Sequence, residues 1–304
     1  VEVFGNDEHF ILNGPGVSPK LFLTKGGVKG IYDAPVTTFY KSSAFQKGST
    51  YQGKKYQQRD LTFGVSIKGE NPADWQDLED RFRSAWVFDI DPWDPDATLT
   101  KLSITTPSSG TRSLYVALTE APAPDMEQDG HLRSASIMPI SAVAPQPFWF
   151  EDRWETEPFD YFETGSSGTS EGFVTIANPT PLPMHLEWVV TRGKWTLPDY
   201  SWTGKKHQRV PGGTWANRKI TLPLLTDVNG GARIVVRRTE ELMIRDFAGT
   251  NLIGAMNGIY FMHTIAPFTP ETNLPVKVEN APTGGARVDV YCKRRWPHCW
   301  GARA

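Results

Sequence analysis

Short apolar alternations, repeated along most of the chain, constrain its fold more than any other feature. In LTFGVSIKG, Leu61, Phe63, Val65 and Ile67 fall on one side of an extended backbone, with Thr62, Ser66 and Lys68 on the other. SLYVALTE repeats this with Leu114, Val116 and Leu118, and KLSITT adds Leu102 and Ile104. FVTIAN, LEWVVTR, KITLPLL, ARIVVRR, GIYFMHT, LPVKVEN and RVDVYCK continue the series. A half-buried strand sends every second side chain into a core, so period two has a direct physical cause. The runs are separated by turn residues, supplied from 27 glycines and 24 prolines. The chain therefore reads as all-β, built of sandwiches or barrels.

One segment departs from period two. In NPADWQDLEDRFRSAW, Asn71 suits an N-cap and Pro72 the first helical position. Asp74 and Asp77 lie near the positive end of the helix dipole. Trp75, Leu78, Phe82 and Trp86 then share one stripe at helical spacing. The pattern predicts a single amphipathic helix over about 71–86, with its aromatic stripe buried.

At 304 residues the chain is long enough for two domains. VAPQPFWFED, from Val143 to Asp152, marks the join. Pro145 and Pro147 favour a stiff, extended connection. Phe148, Trp149 and Phe150 are too apolar for a free linker and should pack on a domain; an aromatic ligand loop is the weaker reading. Strand signals resume at Phe173, after the Gly/Ser stretch TGSSGTSEG. The expected division is a first domain over 1–144, a seam and flexible connection over 145–172, and a second domain over 173–304.

Charge and composition bound the function. Lys and Arg total 32 against 34 Asp and Glu, a formal net charge of -2, which argues against a dedicated nucleic-acid binder. The basic clusters KRRW (Lys293, Arg294, Arg295) and VVRR (Arg237, Arg238) read as solvated or protein-contacting faces. Charges and prolines interrupt every apolar run, so no membrane insertion is expected. VEVFGNDEHF has no basic n-region or apolar h-region, so no secretory leader is expected. Two cysteines are too few for a disulfide scaffold and suit synthesis in a reducing cytoplasm.

The chemical motifs are weak. Gly168 to Gly172 spell G-x-S-x-G around Ser170. A nucleophile elbow needs a strand before the serine and a helix after it, and here a strand follows. A Ser/Gly turn is the better reading, and no catalytic residue is assigned. Asp89, Asp91, Asp94 and Asp96 in DIDPWDPD read as an acidic solvated turn, with calcium as the minority alternative. Cys292, Cys299 and His298 fall short of the four ligands of structural zinc. A disulfide and two free buried thiols both stay open for the cysteines. No cofactor is expected. Eight of the 11 tryptophans lie from Trp149 onward. Trp188, on an alternating run, belongs to a core, whereas Trp202 in a polar context and Trp215 are candidates for contact with a glycan or a partner.

The order of these pieces resembles the distal tail proteins, also called minor tail proteins, of siphophages, particularly those infecting actinobacteria. The resemblance runs through FILNGPG, LTFGVSIKG with the DWQDLEDRFRSAW helix, SGTRSLYVALTEAP, and PQPFWFED. In the second half it continues through GFVTIANPTPLPMHLEWVV, WTLPDYSW, GIYFMHTIAPFTP and RRWPHCWG. It departs at the end, where His298 and Cys299 occupy a turn expected to be a plainer aromatic-Pro-Trp-Gly. The resemblance implies a ring-forming first β-sandwich with one helix and an outward-facing second sandwich of galectin-like or carbohydrate-module-like topology. It implies a virion part made in the host cytoplasm and placed at the tail tip. The implied partners are further copies of itself in a hexameric ring, the tail tube protein, the tail hub or tail-associated protein, and the tape measure protein. It carries over no catalytic residues. The rival readings are a carbohydrate-binding adhesion module, whose partner is a host-surface glycan, and a cell-wall hydrolase. A simple lectin has no use for the helix-bearing first domain, and a hydrolase needs an acid, nucleophile or metal cluster.

Overall fold

The alternating runs become antiparallel strands in the computed structural model of the chain, which describes residues 1–123, 129–236 and 243–301. They form two units: Val1–Trp149 with Pro297–Gly301, and Phe150–Trp296. The fold is all-β with one substantial helix, as the sequence leads one to expect. Among the described residues no helix is long and apolar enough to cross a membrane.

The first unit is built on a sheet that curls back on itself. Its strands run in the order Glu8–Ile11, Glu2–Gly5, Thr100–Thr106, Gly110–Leu118, Ala135–Ala144, Arg59–Lys68 and Leu21–Leu23. Gly110–Leu118 meets Ala135–Ala144 through Ala117 and Leu118, at one corner of the sheet. At the opposite edges, the Leu23 N–H donates to the Leu12 carbonyl at 2.9 Å and draws the sheet towards closure. The inward residues Leu61, Phe63, Val65, Ile67, Leu102, Leu114 and Val116 are all buried.

The helix spans Pro72–Ser84, slightly shorter than the expected 71–86. Asn71 caps it by accepting from the Asp74 N–H at 3.0 Å. Trp75 and Phe82 are buried and Leu78 is half-buried. Trp86 lies past the helix end, yet it too is buried. Phe82 packs edge-on against Phe10 and Trp86, so the helix helps cover the gap between the sheet's two edges. Trp75 is held from the other side, its Nε1 donating to Ser136 Oγ at 3.1 Å. Helical turns also occur at Gly130–Arg133 and Asp152–Thr156.

A buried cation ties this unit's distant segments together. Arg59 donates to the carbonyls of Pro147, Gly30, Ile31 and Pro297 at 2.8–3.0 Å. Burial pulls its pKa down to about 10, which still leaves it charged at neutral pH. The chain's last described residues are laced into the same unit. Arg112 donates to the carbonyls of His298 and Gly301, and the Gly301 N–H donates to Ser109 Oγ at 2.9 Å.

The second unit is a two-sheet sandwich. One sheet has the order Asp160–Thr164, Ala286–Lys293, His185–Thr191, Gly231–Val235, Ile244–Asp246. The other has Gly168–Asn178, Thr269–Ala281, Lys194–Pro198, Lys219–Thr221. Trp188 from the first sheet and Trp195 from the second are fully buried in one shared core with Val276, Val278, Val288 and Val290.

The chain divides between Trp149 and Phe150, inside the stretch read as a seam, with Phe148 packed on Tyr56 in the first unit at 4.8 Å between ring centroids. Two expectations need correction. The stretch expected as a flexible connection carries strands Asp160–Thr164 and Gly168–Asn178, each paired along its length. GIYFMHT is not a strand: the N–H groups of Met262 and His263 donate to the Asp199 carboxylate instead of to a ladder.

Candidate functional site

Two elements of the first unit stand clear of its core. The strands Val36–Lys41 and Thr50–Tyr56 form a hairpin that, among the described residues, pairs only with itself. Gly53, at φ 145°, sits opposite Phe39 beside a register shift, a backbone shape that glycine tolerates. Ser42 Oγ donates to the Gly48 carbonyl across the turn, and Gln57 N–H to the Pro35 carbonyl at the base. Val36, Phe39, Tyr40 and Tyr51 are exposed along the strands, and Phe45 at the tip is wholly so. Lys41, Lys47, Lys54 and Lys55 lie in the same stretch, which has no acidic residue.

The second element is the loop that follows the helix. Its carboxylates shape it: Asp91 accepts from the Trp93 N–H and Asp94 from the Asp96 N–H, both at 2.9 Å. Phe88 and Ile90 are exposed, and Trp93 is 91% exposed. The base is fixed by Thr100, whose hydroxyl donates to the Ala85 carbonyl and accepts from the Val87 N–H. An acidic solvated turn was expected here, and its three large apolar side chains add something different in kind. Contiguous exposed apolar patches, unlike single scattered side chains, mark interaction sites.

In the second unit the structure brings Trp202 and Trp215 to one region. Strand Trp202–Thr203 pairs with Val210–Pro211, and Ser201 exchanges hydrogen bonds with the Trp215 backbone. Trp202 is half-buried and packs against the core of the second unit. Trp215 is 49% exposed. Behind it, Asp199 is buried and bound by Arg218 and by the N–H groups of Met262 and His263. Arg218 also donates to the Tyr260 carbonyl at 2.9 Å and lies 5.8 Å from the Trp215 ring centroid. Burial, and then the Arg218 charge, holds the His263 pKa below its ordinary value. The cavity lined by Trp188, Asp199, Trp202 and His263 has room for about one water molecule, too little for a sugar ring. Any glycan contact would therefore fall on the open face of Trp215.

The remaining sequence candidates serve structure. Ser170 lies within a strand, paired with Val278, and its hydroxyl donates to Thr164 Oγ1 at 3.1 Å. The strained turn of a nucleophile elbow is not there. Cys292 and Cys299 are free and buried, the first in the core of the second unit and the other in the first unit. Burial pushes their thiols up to about 12 and about 11. The KRRW bases are ion-paired: Lys293 with Glu187 at 2.8 Å, Arg294 with Glu151 at 3.6 Å, and Arg295 with Glu155. Arg237 and Arg238 lie outside the described residues. The hairpin went unremarked at the level of sequence. Its signal was an acid-free stretch mixing lysine with aromatic residues.

No family model matches the chain. It is 27% identical over 312 aligned residues to minor tail protein Gp27 of Mycobacterium phage D29, covering 89% of each. It is 25% identical, with the same coverage, to minor tail protein Gp27 of Mycobacterium phage L5. Among solved structures it is similar to the SPP1 Dit protein, described as a paradigm of the hub adsorption apparatus in phages infecting Gram-positive bacteria. That likeness has TM-score 0.50 and 11% identity, over 97% of this chain and 98% of the other. A chain of the phage P2 baseplate in its activated conformation with Ca is similar at TM-score 0.50 and 11% identity, over 96% and 97%. The fold is thus shared along nearly the whole chain, both units included.

Proposed function

We infer that this chain is a phage minor tail protein of the distal tail type, a structural part of the virion tail that works by assembly rather than by catalysis. The observation that carries this is the sequence relationship to two mycobacteriophage minor tail proteins across 89% of the chain. The shared fold with the SPP1 hub protein supports the same reading.

Its finer form is a ring of copies, six by the family resemblance, joining the tail tube to the tail tip. The neighbours are the tail tube protein, the tail hub protein and the tape measure protein. Rings suit such a junction because identical heterologous contacts close without leaving an unpaired surface. The test is copy number and position in purified particles, by quantitative mass spectrometry and by labelled-particle imaging. Several copies around the tail axis at the distal end are expected; a single copy per particle would overturn the ring.

A second reading, contact with a host glycan, draws on the exposed face of Trp215 beside Arg218. It predicts that Trp215→Ala abolishes retention on host-wall polysaccharide while Trp202→Phe does not. Equal retention of the wild type and Trp215→Ala removes it.

A further inference from the structure

The hairpin and the acidic loop of the first unit are complementary in chemistry, yet among the described residues neither is satisfied. The hairpin carries Lys41, Lys47, Lys54 and Lys55 with no acidic residue; Phe88–Asp96 carries four aspartates with no base. Lys54 donates to Tyr56 Oη at 3.0 Å, but among the described residues none of these eight charges has an ion-pair partner. Each element also exposes large apolar side chains, Tyr40 and Phe45 on one and Phe88 and Trp93 on the other. A two-stranded hairpin standing alone in water is marginal. A tryptophan ringed by polar groups is the usual anchor of a protein contact.

Both elements leave the same end of the curled sheet. The hairpin leads into the strand that starts at Arg59, and the loop into the strand that starts at Thr100. The register places Arg59 opposite Ala144, Val143 opposite Ala117, and Thr100 opposite Val116. At about 3.3 Å per residue, hairpin strands of 6 and 7 residues reach on the order of 20 Å.

We propose that the hairpin Val36–Tyr56 of one copy lies on the Phe88–Asp96 loop of the next copy, so that copies join head to tail. This rests on the ring reading above and gives that ring its contact. The two patches differ, so the contact is heterologous and repeats around a closed circle. The opposed charges set its direction and disfavour hairpin on hairpin or loop on loop. The apolar side chains supply the buried centre.

The test uses particles assembled with full-length chain carrying Phe45→Cys and Trp93→Cys together, treated with a short bis-maleimide. The native Cys292 and Cys299 are buried and do not compete. A ladder of cross-linked multimers of this chain is expected from the double variant, and none from either single variant. Copy number is counted in the same particles. Several copies without a ladder overturn the contact and leave the ring standing, and a single copy overturns the ring itself. A cross-link from Phe45→Cys to a different tail protein also overturns the contact.

A second arm tests the charges. Reversing the four lysines to glutamate, or the four aspartates to lysine, is expected to reduce incorporation on the order of tenfold or more. Making both reversals together should restore it. Failure of the combined reversal to restore incorporation, with each variant folded by circular dichroism, overturns the proposal.

Discussion

Single residues in this protein do work that depends on what surrounds them. Arg59 is a charge placed wholly inside the first unit and satisfied only by carbonyl oxygens. Arg59→Met would leave the buried Pro147 carbonyl without its donor, at about 1–3 kcal/mol for a buried group left unsatisfied, and would take a donor from the part-buried Gly30 and Ile31 carbonyls. Urea denaturation should show a loss of about 1–3 kcal/mol, and Arg59→Lys should recover little of it, because an ammonium cannot span the same fork. Glu187 makes a pH-dependent contribution in the second unit. Burial opposes its ionisation, but hydrogen bonds from Arg233 and Lys293 outweigh that and hold its carboxyl below the ordinary value. A depressed carboxyl stabilises the fold above its unfolded value of about 4.3 and loses that contribution as pH falls through the folded value. Melting temperature against pH should therefore drop more steeply below about pH 4.3 in the wild type than in Glu187→Gln.

At the scale of elements, the helix Pro72–Ser84 is the clearest case of local and tertiary signals agreeing. Its cap, first-turn proline and aromatic stripe were all legible before folding, and its buried face meets Phe10 and Phe63 from separate strands, directly and through Trp86. Phe82→Ala should cost about 3–5 kcal/mol through lost transfer energy and the cavity left behind. Asn71→Ala removes only the cap and should cost about 1 kcal/mol. Chemical denaturation of the two variants checks the ratio. Near-equal losses would mean that the stripe contributes no packing. The strand expected at GIYFMHT shows the opposite outcome. Its apolar residues suit a strand, but its N–H groups have a better acceptor in the Asp199 carboxylate.

At the scale of the molecule, the last described residues, Pro297–Gly301, belong to the unit where the chain begins. Pro297 accepts from Arg59 and from the Ala34 N–H, and Arg112 grips the carbonyls of His298 and Gly301. Removing residues from 297 onward should lower protection of the amides in Arg59–Lys68 while leaving those in His185–Thr191 unchanged. Hydrogen exchange read by mass spectrometry on the shortened chain checks this. Equal loss in both strands would mean that the segment stabilises the protein as a single cooperative whole.

Period two was enough to identify nine of the described strands, Arg59–Lys68 and Thr269–Ala281 among them, because half-burial leaves its mark on every second residue regardless of which strands pair. The helix was legible for the same local reason, and the order of short motifs carried the resemblance to tail proteins. Pairing and closure were not legible. Nothing in RVDVYCK says that it lies between Asp160–Thr164 and His185–Thr191, since any two alternating strands present the same pattern to each other. Trp202 and Trp215 have similar polar neighbours in sequence, and only the tertiary structure packs one against the core and leaves the other open. The exposed hairpin carries no period-two signal, since Val36, Phe39 and Tyr40, and then Tyr51 and Tyr56, do not fall on every second residue. Whether a core covers it depends on where the remainder of the chain goes, and tertiary structure alone decides that.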